Sequence, residues 1–181
     1  MNVWWTSKNV CPTHESFGGQ AEMLVLLCDQ FMSKEIKITK RHLPHWSIDT
    51  ATYFVTFRSI TELISTERTV TFLHILAGHN VFYTLIAFVI MPDHVHLLFH
   101  PKKGFDLERI MKGMKGVSAN KVNEIRGTKG QVWQHESYDH IIRNAEELTQ
   151  KFYYIMDNPS NNGITEIDES YKWLYWNDIV L

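Results

Sequence analysis

Residues 81–100 read VFYTLIAFVIMPDHVHLLFH. Two apolar, β-rich runs, 81–90 and 94–100, are joined in this stretch by Met91-Pro92-Asp93. Proline presets the backbone angle that a tight turn needs, and aspartate adds a short polar side chain. The two runs are therefore predicted to pair as an antiparallel hairpin, and the fold can be built outward from it.

The segments on either side of this hairpin alternate between strand and helix patterns. In chain order they are a strand at 52–58 (TYFVTFR), a helix at 61–78, a long helix capped by Asp106 and ended by Gly127, a strand at 139–143 (DHIIR), and a helix from Asn144 to Asn158-Pro159. The order β-α-β-β-α-β predicts an α+β protein with a ferredoxin-like, split β-α-β antiparallel sheet. Its helices are expected on one face, with a further helix at the C-terminal end.

Composition limits the classes of protein to consider. The 181 residues suit one domain, which we place at 41–181, with 1–40 as an N-terminal extension of uncertain packing. A formal charge of −2 excludes a strongly basic, indiscriminate nucleic-acid binder. Two cysteines without a CxxC pattern and the lack of a long apolar run predict a cytoplasmic protein with no membrane association.

His94 and His96 are the sharpest chemical feature of the hairpin. Side chains alternate along a strand, so both imidazoles point to one face while Val95 and Leu97 point to the other. Two nitrogens on one face can bind the same metal ion. An HxH pair on a strand is also often merely solvated, and the spacing alone leaves both interpretations open.

The last helix offers a second set of polar groups. Leu148, Phe152, Ile155 and Met156 form its apolar side, and Tyr154 falls almost opposite. Asn158 lies one turn after Tyr154, so a phenol and an amide oxygen can face the same spot. Packing of both adjacent tyrosines, Tyr153 and Tyr154, against the core is the simpler alternative.

Together these groups fit phosphodiester cleavage. A phenol is a weak nucleophile near neutral pH, but it can attack a phosphate that a divalent cation polarises. Two imidazoles and one amide oxygen leave coordination positions for phosphate and water, and Mg²⁺ or Mn²⁺ is the expected cofactor. The product would be a 5′-phosphotyrosine and a free 3′-hydroxyl.

Several stretches resemble the REP-associated tyrosine transposases, a group within the single-tyrosine HUH transposases. They are MPDHVHLLF (91–99), VWQHESYDHIIRN (132–144) and YYIMDNPSNNGI (153–164), with LPHW (43–46) before the first strand. The resemblance implies a nuclease that cuts single-stranded DNA beside a hairpin. It also implies Tyr154 as nucleophile and His94, His96 and Asn158 as metal ligands. NPSNNGI lacks the basic residue that many relatives carry there.

A local excess of basic residues is the predicted DNA backbone contact. The segment from residue 101 to residue 130 contains eight basic and three acidic residues, which gives it a local net charge of +5. We assign DNA contacts to Lys112, Lys115 and Arg126, and to Arg143 beyond this segment, although charged helix faces are more often only solvated. The predicted partner is single-stranded DNA with a hairpin of palindromic sequence, bound by a monomer or a homodimer.

Two other functions remain open at this point. The histidines could activate water in a metal-dependent phosphodiesterase, with Tyr154 structural, or the fold could be a non-catalytic nucleic-acid-binding module. A covalent protein–DNA adduct, cleavage without an adduct, and binding without metal dependence distinguish the three.

Overall fold

The computed structural model describes residues 51–164 and 171–177, together with the backbone of two strands at 36–40 and 44–48. The elements in chain order are β1 (Ile36–Lys40), β2 (Pro44–Ile48), β3 (Tyr53–Ser59), α1 (Ser65–Ala77), β4 (Tyr83–Ile90), β5 (His94–Pro101), α2 (Leu107–Arg126), β6 (Trp133–Ile141), α3 (Ala145–Asn161) and β7 (Leu174–Trp176). β1 and β2 form an antiparallel hairpin. The predicted boundary between residues 40 and 41 falls in its connection; residues 1–35 lie outside the described residues, and the division of the chain stays a prediction.

Five strands form one sheet in the order β6-β3-β5-β4-β7, and every neighbouring pair is antiparallel. The four strands from β3 to β6 reproduce the split β-α-β arrangement, in which β5 lies between β3 and β4. The predicted ferredoxin-like α+β fold is confirmed. Strand β7 is an addition that the sequence patterns missed; it extends the sheet beside β4 and pairs Tyr175 with Phe88.

The sheet is covered on both faces. One face packs Val55 and Leu97 against α1 and α2, and the other packs Phe54 and Leu98 against α3. Because side chains alternate along β5, the residues that flank Val95 point toward α3. The hairpin of β4 and β5 therefore places both histidines under the C-terminal helix.

Two helix starts follow the predicted caps. The Asp106 carboxylate accepts a hydrogen bond from the Arg109 backbone N–H, and Asn144 accepts one from that of Glu147. Helix α2 ends as predicted at Gly127, which has a positive φ of 64° that favours glycine.

Three predicted boundaries were wrong. Helix α1 begins at Ser65 rather than at residue 61. Strand β6 begins at Trp133 rather than 139, because its first half has polar exposed side chains that the alternation pattern does not detect. Helix α3 continues through Pro159 to Asn161 instead of ending at Asn158-Pro159. Pro159 is buried, and carbonyls on both sides of the ring still find donors: Asn158 O accepts from Asn162 N–H and Pro159 O from Ile164 N–H.

No helix in the described part of the chain has both the length and the apolar character to cross a bilayer.

Candidate active site

The two strand histidines lie together beneath α3. His94 and His96 are 8% and 5% exposed, and their ring centres are 4.6 Å apart. Strand pairing sets Thr56 and Arg58 of β3 directly opposite them. The solvated alternative for this pair is therefore wrong, since both imidazoles are buried.

A carboxylate fixes the orientation of His94. Its Nδ1 is 2.5 Å from Asp93 Oδ1, and Arg58 donates to the other carboxylate oxygen at 2.7 Å. Burial tends to raise the pKa of the Asp93 carboxyl, but the hydrogen bond from His94 and the charge of Arg58 outweigh it and hold the pKa below its usual value. An imidazole that donates Nδ1–H to a carboxylate presents its Nε2 lone pair to a ligand.

His96 carries the clearest sign of an unfilled bonding position. Its Nδ1 shares a 2.7 Å hydrogen bond with Thr56 Oγ1, while its buried Nε2 has no hydrogen-bond partner within the described residues. Burial, helped by the positive charges around it, lowers the pKa of His96 to about 3. The ring is therefore neutral at physiological pH, which is the form that binds a metal ion.

Tyr154 lies directly above this pair. Leu148, Phe152, Ile155 and Met156 pack α3 onto the sheet, as its helical pattern predicts. Tyr154 faces away from that core, 48% exposed, and its ring centre is 5.0 Å from that of His96. Tyr153 instead packs edge-on to Phe152 and is half-buried, and burial and the nearby Asp157 raise its pKa. Of the two adjacent tyrosines, Tyr154 is the one beside the histidines.

Asn158 keeps its helical spacing from Tyr154 because α3 continues through Pro159. Its side chain is buried, and Asn162 donates to both its carbonyl and its amide oxygen. No three His, Cys, Asp or Glu side chains gather into a metal-binding group in the described residues. A metal at this site would depend on the two imidazoles and the Asn158 amide oxygen.

A family model described as "Transposase IS200 like" matches residues 59–158, more than half of the chain. The chain belongs to the IS200-like transposase family. The matched segment of this family member contains the histidine pair, Tyr154 and Asn158. The family resemblance of the sequence motifs to transposases is thereby confirmed.

One solved structure shares the fold of this chain. A REP-associated tyrosine transposase bound to a REP hairpin aligns with a TM-score of 0.57 and 20% identity, over 79% of this chain and 82% of that one. A transposase-like protein from Deinococcus radiodurans aligns with a TM-score of 0.42 and 17% identity, over 67% of this chain and 95% of that one. No curated protein matches the sequence.

Two of the four basic residues predicted to contact DNA have internal partners in this IS200-like protein. Lys115 donates to the backbone carbonyls of Gln134 and His135, at 2.8 and 2.9 Å. Arg126 makes two hydrogen bonds to the buried carboxylate of Glu67, at 2.6 and 2.8 Å. These contacts tie α2 to β6 and to α1, so both side chains have structural roles that the charge pattern did not reveal.

Lys112 and Arg143 are exposed, and their side chains remain available for DNA backbone contacts. The DNA role of all four basic residues stays a prediction.

Other residues of the site escaped the sequence patterns. Phe54 forms a triangle of rings with His96 and Tyr154, and its centre is 5.6 and 5.9 Å from theirs. Tyr138 on β6 is 56% exposed, stands edge-on to Phe54 and parallel to the ring of His140. Alternation in β3 predicts the face of Phe54, but the pairing of β6 with β3 that brings Tyr138 to this face needs the sheet order.

Proposed function

We propose that this IS200-like transposase is a metal-dependent, single-stranded DNA endonuclease that cleaves and rejoins hairpin-bearing DNA through a 5′-phosphotyrosine intermediate. The observation that carries the proposal is the exposed Tyr154 ring beside His96, whose buried Nε2 lacks a partner among the described residues. An exposed nucleophile next to an unfilled ligand position suits attack on a phosphodiester.

The tyrosine step balances without an added reactant. The phenolic oxygen of Tyr154 bonds to phosphorus and loses its proton, the bond between phosphorus and the 3′ oxygen breaks, and that oxygen takes up a proton. Reversal of the step with another 3′-hydroxyl rejoins the DNA. Exposure of Tyr154 supports this role, because its hydroxyl can reach a strand that approaches from solvent.

The proposed cofactor is Mg²⁺ or Mn²⁺, held by His94, His96 and Asn158. The neutral His96 ring, its unpartnered Nε2 and the bond of His94 Nδ1 to Asp93 support this ligand set. When bound, the cation supplies polarisation of the scissile phosphate. Asp93 and Arg58 hold His94, and Thr56 holds His96, in the orientation that this requires.

The proposed DNA partner is a single strand that carries a hairpin. The solved structural neighbour bound to a REP hairpin supports it by analogy. An unpaired base can stack on an exposed aromatic ring, and Tyr138 offers one beside the site. By contrast, Trp133 is buried against Phe57 and Trp173 lies against Arg68, so neither offers such a surface. We propose that the protein acts in the cytoplasm, as a monomer or a homodimer.

Substitution of the two adjacent tyrosines tests the proposal. Tyr154→Phe removes only the attacking oxygen, so cleavage and the covalent adduct should both be lost while DNA binding persists. Tyr153→Phe is the matched control and should retain both activities. Each variant is incubated with end-labelled single-stranded hairpin DNA and Mn²⁺, and the adduct is read as a band that resists denaturant and disappears with protease.

The other outcomes identify the alternatives. Cleavage by Tyr154→Phe without an adduct would make water the nucleophile, as in a phosphodiesterase. Binding without cleavage by the wild-type protein would indicate a non-catalytic module.

A further inference from the structure

Lys151 lies on α3 one turn before Tyr154 and extends over the site. Its Nζ is 4.8 Å from the centre of the Phe54 ring and 5.9 Å from that of Tyr154. The side chain is half-buried, so its ammonium group is less screened than a fully exposed lysine. Neither the family match nor the sequence motifs assign it a role.

Among the described residues, the ammonium group of Lys151 has no counter-ion. Glu147, one turn earlier, is the natural helical partner, but it is bound to the imidazole of His140 and to the Arg143 backbone N–H. No carboxylate in the described part of the chain forms an ion pair with Lys151. Arg58 differs, because Asp93 neutralises it. As far as the structure describes the chain, Lys151 is therefore an unneutralised cation beside the proposed nucleophile.

The surroundings of this cation favour an anion. The Lys151 ammonium lies over the rings of Phe54 and Tyr154, and the centre of the Tyr154 ring is 5.0 Å from that of His96. A cation held against two aromatic rings keeps its attraction for a ligand with negative charge. A phosphodiester supplies one negative charge at the position that Tyr154 must attack.

We propose that Lys151 binds a non-bridging oxygen of the phosphodiester that Tyr154 attacks and stabilises the charge that develops there. The inference rests on the proposed function. During the step the Tyr154 oxygen bonds to phosphorus, the 3′ oxygen leaves, and negative charge on the phosphoryl oxygens increases. A preorganised ammonium group lowers the energy of that transition state more than that of the bound DNA.

Lys151→Met tests this directly, because methionine keeps a long, flexible stem that packs against aromatic rings and removes only the charge. We expect the single-turnover rate of adduct formation with hairpin DNA and Mn²⁺ to fall about 10- to 100-fold, below the 10²–10³ typical of a lost oxyanion donor, since the site is partly open to water. Lys151→Arg should restore much of the rate, because it returns the charge. DNA affinity should change less than threefold in both variants.

Lys172→Met is the control. Lys172 is exposed on the segment before β7, and its loss should leave the rate unchanged. Circular dichroism and the thermal midpoint check that each variant folds.

Three results would overturn the inference. Lys151→Met that forms the adduct at the wild-type rate shows that the lysine only packs on Phe54. A Lys151→Arg variant as slow as Lys151→Met shows that the charge is not what matters. A loss confined to DNA affinity makes Lys151 a general backbone contact. Failure of the wild-type protein to form any adduct would instead reject the proposed function.

Discussion

The proposed chemistry depends on how the two imidazoles are oriented and on the neutral state of His96. His94 is turned by Asp93, and His96 is kept neutral mainly by burial. Both rings lie on the face of the sheet that α3 covers. The HxH motif predicts that both histidines lie on the same face of the strand. Their burial, however, depends on the packing of α3 over that face.

We expect His94→Ala and His96→Ala each to abolish cleavage and spare folding, because a single remaining imidazole binds Mg²⁺ or Mn²⁺ too weakly. Mn²⁺ should raise the thermal midpoint of the wild-type protein, since it binds only the folded state, and this shift should vanish in both variants and on addition of EDTA. Asn158→Ala should weaken metal dependence without erasing activity. Normal cleavage by either histidine variant would show that the metal assignment is wrong.

His100, at the end of β5, makes stability depend on pH. Burial, with a smaller effect of Lys102, lowers the pKa of His100 to about 4. The unfolded chain, with a histidine pKa near 6.5, binds this proton more readily than the folded protein. His100 therefore destabilises the fold progressively as pH falls from about 6.5 to about 4, by at most about 1.4 kcal/mol per pH unit.

The measurement is urea unfolding of the wild-type protein and His100→Gln between pH 4 and 7. The variant should lose stability less steeply on acidification. Parallel curves for the two proteins would show that His100 does not bind a proton on unfolding.

Contacts between helices give Arg126, a basic residue of α2, a structural role. Arg126, at the end of α2, binds the Glu67 carboxylate in the first turn of α1, and Glu67 itself accepts a hydrogen bond from the Ile64 N–H. The Arg126 hydrogen bond lowers the pKa of Glu67 despite its burial. One ion pair thus joins the two helices that cover the same face of the sheet.

Arg126→Met should destabilise the protein by about 3–5 kcal/mol, because it leaves the buried Glu67 charge without a partner. Chemical denaturation measures this loss, and Glu67→Gln in the same background should recover part of it. Lys112→Met, on the exposed face of α2, should change stability by less than about 0.5 kcal/mol. A small change in stability on Arg126→Met would mean that Arg126 is available to contact DNA, as its charge alone suggested.

The whole molecule carries a net charge of −2, so overall electrostatic attraction gives it only a weak affinity for DNA. Recognition must then add shape and unpaired bases to a local basic contact. Tyr138, exposed beside the site, is the ring best placed to stack on such a base.

We expect tighter binding to a single strand with a hairpin than to a plain duplex, with affinity that falls steeply as salt rises. Tyr138→Ala should cost about 1–3 kcal/mol of this binding, and Tyr138→Trp should retain it. Fluorescence anisotropy with the three proteins and both DNAs measures these differences. Equal affinity for duplex and hairpin would contradict the proposed substrate.

Local sequence determined the parts of this protein that depend on near neighbours. Period-two alternation placed His94 and His96 on one face, helical spacing separated Tyr154 from Tyr153, and Asp106 and Asn144 marked two helix starts. These features follow from backbone geometry within a few residues, so they can be predicted from a single amino-acid sequence.

The features that join distant segments depend on tertiary packing. It paired β6 with β3, added β7, carried α3 through Pro159, and turned Arg126 toward Glu67 across 59 positions in the chain. It also brought Lys151, Phe54 and His96 together at Tyr154. Such contacts depend on which faces pack against each other, and local periodicity contains no information about that choice.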